Sequence, residues 1–327
     1  MKDVGLVGLP FSGRSTLFTA LTRTGAAGGR SNQAVVLVPD PRLAVLTELE
    51  RSRKTVAAQV RFVDVPGATS AQGLAELRVT DALAVVLRAF GPAPDPAGDW
   101  RRVTEELVLA DLAVVDSALE NARRRAKGRS GAGGPEVATL ERAHAALSDE
   151  RLLRGEAFDD DELGHLRSLA ALTLKPWIPV ANLEEGAPLP DGLPDGTVPV
   201  FASIEAETAG MPQDEARALL AEFGVAEPGL DRVIAASYRA LDLITFLTTG
   251  EDETRAWEVR EGATAPEAAG VIHTDLQRGF IRAEVVGYDD LVAAGGWTAA
   301  RSKGLLRVEG KDYVVREGDC LHVRFNI

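Results

Sequence analysis

The chain has 327 residues and a single cysteine, Cys320, which excludes an intramolecular disulfide framework and agrees with a reducing compartment. Cys320 opens the alternating run "CLHVRFNI", where a small core or edge residue is expected rather than a reactive thiol. Histidine is scarce as well. His144, His165, His273 and His322 lack the close His or Cys companions that a zinc site needs, so no structural metal is expected. No apolar run approaches the roughly 20 residues that span a bilayer, and no apolar stretch with a small-residue cleavage site precedes the first motif. A cytoplasmic protein with no membrane partner is therefore expected. Positive charge is also short: 36 Lys and Arg against 49 Asp and Glu give a formal net charge of −13. A polyanion meets a repulsive mean field, so non-specific nucleic-acid binding is not expected. The local exception is "RRRAKGR", residues 123–129, with five positive charges at the end of a helical pattern. Cations complementing the carbonyl end of the helix dipole on a solvated tip are the favoured reading; a ribosomal RNA contact is the sharper alternative.

What is present is an ordinary globular balance, 45% hydrophobic and 26% charged, in a chain long enough for two or three domains. "DVGLVGL", "QAVVLVPD", "QVRFVDV" and "DALAVVLRAF" read as strands, the last of the type buried on both faces. Helical connectors between them imply an α/β fold with a mainly parallel sheet. From Asp99 the period becomes helical: Leu107, Asp111, Val114 and Ala118 mark one stripe, and Leu112, Val115, Leu119 and Ala122 a more apolar one beside it. "GRSGAGG" breaks the pattern, and Pro135 starts a second helix through about Leu147, which together predict a helical hairpin. A third helix is expected from the acidic cap "DDDEL" to Leu174. "KPWIPVANLEE" and "VPVFASI" then return to the strand pattern, a helical stretch runs from about Pro212 to Ala240, and the last eighty-odd residues read as a compact β-rich unit. The expected domains are 1–98 with 175–240 for the α/β part, 99–174 for the helical insertion and 241–327 for the terminal unit.

The chemistry lies in "GLPFSGRS". Gly8, Ser12, Gly13, Arg14, Ser15 and Thr16 follow the phosphate-binding loop in all defined positions but one, between an apolar strand and a helix. The two glycines let backbone N–H groups turn inward around a phosphate, and the helix N-terminus adds partial positive charge. Ser15 is expected to place its hydroxyl on Mg²⁺, and Thr16 to stand near the α-phosphate. Arg14 is the exception. Lysine is a compact point charge on the β- and γ-phosphates, whereas arginine is a broad, longer fork. Nucleotide binding can survive that change where transition-state stabilisation does not. In "VRFVDVPGAT", Asp64 ends a strand where P-loop proteins hold Mg²⁺ through water, and the Gly67 N–H stands where the γ-phosphate is sensed. Ala68 follows, so no glutamine is ready to orient an attacking water. In "PVANLEEG", Asn182 and Glu185 occupy the place of the Asn-Lys-x-Asp that selects guanine. The longer carboxylate and the missing lysine argue against strict guanine selection.

At these residues the chain resembles the YchF family, the Obg-like ATPases. "VPDPRL", "ELVLADL" and "NLEE" match family motifs in order, and residues from "LDLITFLTTG" to "CLHVRFNI" look like the family's terminal TGS domain almost throughout. The resemblance spans essentially the whole chain. It implies a G-domain-like P-loop NTPase fold with an inserted helical hairpin and a C-terminal β-grasp (TGS) domain. It also implies ATP in preference to GTP, Mg²⁺ with the nucleotide, Ser203 beside Asn182 and Glu185 at the base, and association with ribosomes. Family members hydrolyse ATP slowly and carry a hydrophobic residue in place of the glutamine, so Ala68 is no departure. Arg14 is one. So are the shortened stretches "TRTGAAGGRSNQAVVLVPD", which lacks the family's Tyr-Pro-Phe-x-Thr-Ile segment, and "ATSAQGLAEL", which lacks most of the glycine-rich second switch. These losses fall on groups that read and cleave the γ-phosphate.

The leading expectation is a nucleotide-binding protein acting on or near the ribosome, with weak or impaired hydrolysis. The alternatives are a slow but genuine ATPase or GTPase stimulated by the ribosome, and a nucleotide-independent adaptor working through its TGS domain.

Overall fold

A computed structural model describes residues 1–23, 32–65, 67, 70–127, 134–225 and 228–326. Residues 24–31 of the shortened first stretch, Pro66, Ala68 and the glycine-rich break at 128–133 lie outside the described residues. The chain begins β1 (Lys2–Val7), α1 (Arg14–Arg23), β2 (Gln33–Leu37), α2 (Arg42–Glu50), β3 (Thr55–Val56), β4 (Gln59–Asp64), α3 (Ala71–Arg78) and β5 (Ala82–Ala89). The helices α4 (Pro96–Lys127), α5 (Pro135–Ser148) and α6 (Asp160–Arg167) follow. Next come β6 (Trp177–Leu183), β7 (Val198–Val200), α7 (Ala202–Thr208), α8 (Gln213–Glu222) and α9 (Gly229–Ala240). The remainder is β8 (Leu243–Thr248), β9 (Thr254–Arg260), α10 (Ala265–Ile272), α11 (Thr274–Arg278), β10 (Phe280–Gly287), α12 (Tyr288–Ala294), α13 (Trp297–Ser302), β11 (Arg307–Glu309) and β12 (Asp319–Phe325).

These elements form two compact units. One holds Lys2–Val36 and Arg61–Ser237; the other holds Met1, Leu37–Val60 and Tyr238–Ile327. In the first, six strands run in the order β2-β4-β1-β5-β6-β7. β1 pairs with β5, β5 with β6 and β6 with β7, all parallel, with Val7 opposite Val85 and Ala89 opposite Leu183. The carboxyl ends of these strands therefore share one edge, where ligands of open α/β sheets bind. Every residue of β6 is buried and so is nearly all of β5, the continuous apolar pattern of a strand covered on both faces.

The long α4 buries Val115, Leu119 and Ala122, the more apolar stripe, against Leu140, Ala143 and Leu147 of α5. Asp111, from the neighbouring stripe, is fully buried as well. Its carboxylate accepts the Leu172 and Thr173 N–H groups, the Thr173 hydroxyl and Arg78 Nη1 at 2.7–3.1 Å. This hub also corrects the third helix: α6 stops at Arg167, Ala170 takes φ +49°, and residues 172–174 form a separate 3₁₀ turn whose amides Asp111 captures. The predicted stretch from Pro212 to Ala240 is likewise two helices, because Gly224 at φ +76° ends α8 through the bond from Val225 N–H to Leu220. The basic tip is internally compensated in its described part: Arg123, Arg124 and Arg125 pair with Glu141, Glu120 and Glu136.

The second unit is mixed rather than simply β-rich. Its sheet runs β11-β10-β12-β8-β9-β3, with β12 parallel to β8, β3 parallel to β9, and the β8–β9, β10–β12 and β10–β11 pairs antiparallel. Four helices interrupt the strands of its C-terminal part. The first is set by Thr264 and Glu267, whose carboxylate accepts the Thr264 N–H and hydroxyl and is held below its ordinary pKa by them. Leu43 and Leu46 of α2 pack in one cluster with Leu247, Val286 and Cys320. Burial pushes the Cys320 thiol up to about 12, which fits an inert core residue. Among the described residues, no helix is long and apolar enough to cross a membrane, and no cluster of His, Cys, Asp or Glu could hold a metal ion.

Candidate functional site

The loop between β1 and α1 turns where the sequence places its glycines. A Cβ on Gly8 would meet Val86 O and Ser12 Oγ, each at 2.6 Å. Gly13 is at φ +82°, and a Cβ there would lie 2.0 Å from Asn182 Nδ2. Both positions thus demand glycine, one for close approach and one for conformation as well. The first bond into α1 runs from Leu17 N–H to Gly13 O at 2.9 Å, which leaves the Arg14, Ser15 and Thr16 amides outside the helix ladder. Ser12 is buried and its hydroxyl has no partner.

Residues 8–16 line a cleft of about 490 Å³ together with Gly67 and Glu106. A second cleft of about 290 Å³ shares Gly13 and Thr16 with it and continues over Phe90, Gly91, Asn182, Leu183, Glu184, Glu185 and Ser203. The structure therefore brings the residues read as phosphate-binding to one pocket and those read as base-binding to an adjoining one.

Asn182, at the end of β6, is buried and fully engaged. Its Nδ2 donates to Ser12 O at 3.2 Å, and its Oδ1 accepts the Ala202 N–H at 3.1 Å. It positions the phosphate loop and the start of α7 at once, while Glu184, Glu185 and Ser203 are exposed around it. Glu205 on α7 braces the same region by accepting the Phe201 and Leu230 N–H groups; burial raises its pKa against the lowering effect of those bonds.

The loop end is arranged differently. Arg14 Nε lies 2.6 Å from Asp64 Oδ1, and Arg14 Nη1 donates to Val65 O at 2.7 Å. Ser15 Oγ donates to the other Asp64 oxygen at 3.4 Å. The Arg14 and Asp64 side chains are largely buried, 16% and 14% exposed. Their 2.6 Å contact is close enough for an ion pair, but its angles fall outside hydrogen-bond geometry, so the attraction is chiefly that of charge.

Sequence reasoning missed Phe90 and Gly91 of the second cleft and two residues of the first. Glu106 on α4 belongs to the quoted "ELVLADL" run, yet nothing in that run signals a carboxyl facing a phosphate loop; loss of water raises its pKa. Phe11 stands at φ +66° and is 89% exposed at the loop tip, a conformation that the run "LPFSG" does not announce.

A family profile described as "YchF-GTPase_C: Protein of unknown function (DUF933)" matches residues 243–326. The "Ribosome-binding ATPase YchF" of Haemophilus ducreyi is 40% identical over 358 aligned positions that cover 99% of each chain. The Bacillus subtilis protein of the same name is 38% identical over 361 positions, again 99% of each. Both alignments are longer than this chain, so parts of those relatives have no counterpart here. The solved structure of the Schizosaccharomyces pombe YchF GTPase superposes with a TM-score of 0.89 at 28% identity, covering 99% of this chain and 97% of that one.

Proposed function

The chain belongs to the YchF family, and we propose that it is a nucleotide-binding P-loop protein that works with the ribosome and hydrolyses its nucleotide weakly. The observation that carries this reading is the pair of adjoining clefts meeting at Gly13 and Thr16, on the carboxyl edge of a parallel sheet. In this reading the loop amides with Gly8, Ser12, Gly13, Ser15, Thr16 and Gly67 cradle the phosphates. Asn182, Glu185 and Ser203 frame the base, and the NxxE pattern favours ATP over GTP. The ribosome enters through the relatives, which are named ribosome-binding ATPases.

P-loop ATPases generally take their nucleotide with Mg²⁺. Ser15 and Asp64 are oxygen donors of the type that Mg²⁺ prefers. As arranged, however, they do not fit the ion, because the Asp64 carboxylate is already paired with Arg14. Weak hydrolysis follows from that pairing. The cation expected on the β- and γ-phosphates is engaged elsewhere, and Ala68 supplies no group to orient water.

Calorimetric titration of ATP and GTP, followed by co-sedimentation with ribosomes at varied salt, tests the reading. ATP is expected to bind at least as tightly as GTP, with ribosome association at low salt. Absence of binding by either nucleotide leaves a nucleotide-independent adaptor. Absence of co-sedimentation even at low salt removes the ribosomal role.

A further inference from the structure

The position that a phosphate-binding loop gives to lysine is filled here by a side chain with two partners. From α1, the Arg14 guanidinium reaches Asp64 Oδ1 at 2.6 Å and the Val65 carbonyl at 2.7 Å. Ser15 and Asp64, the two oxygen donors, approach each other to 3.4 Å at the other carboxylate oxygen, Oδ2. A lysine ammonium is a single point charge, whereas the planar fork of arginine can meet a carboxylate and a neighbouring carbonyl together. Arginine is a planar donor fork with no acceptor, and with both side chains largely buried, solvent screens the pair little.

We propose that the Arg14 guanidinium stands in for the divalent cation at Asp64, so that this protein holds its nucleotide with little dependence on Mg²⁺. The proposal rests on the nucleotide-binding reading above. It asks nothing of the family's metal chemistry, only that the charge on Asp64 is already neutralised before nucleotide arrives. An ion entering beside Ser15 has to displace the guanidinium from its carboxylate, while the loop amides act on the phosphates regardless.

The test is a calorimetric titration of ATP into the full chain, in EDTA and in millimolar Mg²⁺, for the natural protein and for Arg14→Lys. For the natural protein the affinities in the two conditions are expected to agree within about threefold, and for Arg14→Lys Mg²⁺ is expected to tighten binding by about tenfold or more. A loss of about tenfold or more for the natural protein in EDTA overturns the proposal while leaving nucleotide binding intact. A second measurement needs no nucleotide: the ¹⁵N-resolved Nε–H resonance of Arg14, assigned by its disappearance in Arg14→Lys. It is expected to shift in Asp64→Asn and to stay unchanged when millimolar Mg²⁺ is added. Its displacement by Mg²⁺ overturns the proposal whatever ATP does. Absence of ATP binding in both conditions, with that resonance undisturbed, overturns the nucleotide-binding reading, and the proposal with it.

Discussion

The two clefts that meet at Gly13 use their polar side chains in opposite ways. At the base end, Asn182 spends both ends of its amide on backbone groups, Ser12 O and Ala202 N–H, and leaves Glu184, Glu185 and Ser203 exposed. At the end read as phosphate-binding, the charges of Arg14 and Asp64 are spent on each other. One end is scaffold with free groups around it; the other is chemistry turned inward. In the proposed reading, backbone geometry for holding a nucleotide is kept by a neutral amide, while charges that would act on the γ-phosphate are neutralised within the protein.

The largest effect is expected where the scaffold is cut. Asn182→Ala leaves a carbonyl and an N–H unpaired in a buried place, at about 1–3 kcal/mol for each group. Urea unfolding should show a loss of about 2–6 kcal/mol, and ATP binding should weaken by at least about tenfold as the loop loses its brace. Stability unchanged within experimental error would mean that the base end is not the scaffold.

Asp64→Asn attacks the other end and should move affinity in the opposite direction. With its carboxylate partner gone, Arg14 is released toward the phosphates, and ATP binding in EDTA should tighten by about three- to tenfold. In a loop whose aspartate serves a metal, the same change in Mg²⁺ would weaken binding instead.

Glu106 should matter less, because it is exposed and salt screens it. Desolvation raises its pKa, so it charges at a higher pH than an ordinary glutamate. As pH climbs through that raised value, a carboxylate appears beside the phosphates and ATP affinity should fall, by about twofold or less. Glu106→Gln should flatten the profile. The sign for stability is the same: the folded state binds the proton more tightly than the unfolded chain, so this group's contribution is present at low pH and lost as pH rises through the folded value. The smallest effect concerns strain. The positive-φ residues lining the base end, Gly13 and Gly91, are glycines, but at the loop tip Phe11 adopts φ +66°. Phe11→Asn should raise thermal stability by about 0.5–1 kcal/mol, since asparagine tolerates that region better.

Much of this arrangement is legible in the chain. The buried strands β5 and β6 read directly from continuous apolar runs, and α4 and α5 from their stripe and from Pro135. The loop reads from its glycine spacing and Cys320 from its alternating neighbours. What the sequence conceals is long-range pairing. Arg14 is conspicuous as a substitution, but only the fold brings it to Asp64 and Val65. Asp111 sits on a helical stripe like any solvated acid, and its partners Arg78, Leu172 and Thr173 come from distant segments. The strand β3 is two residues long, too short for any periodicity, and it lies at the edge of the sheet formed with the C-terminal strands. Local pattern specifies elements well, but it says little about which charge meets which.

The central claim is that a nucleotide is held by backbone while the arginine in the lysine position is spent on Asp64. Steady-state ATP hydrolysis by the natural chain beside Arg14→Lys, in Mg²⁺ and at saturating ATP, tests it most directly. The expected result is slow turnover by the natural chain and a rise of about tenfold or more in Arg14→Lys, where a compact charge returns to the phosphates. Turnover by the natural chain that Arg14→Lys leaves unchanged or lowers would contradict the claim.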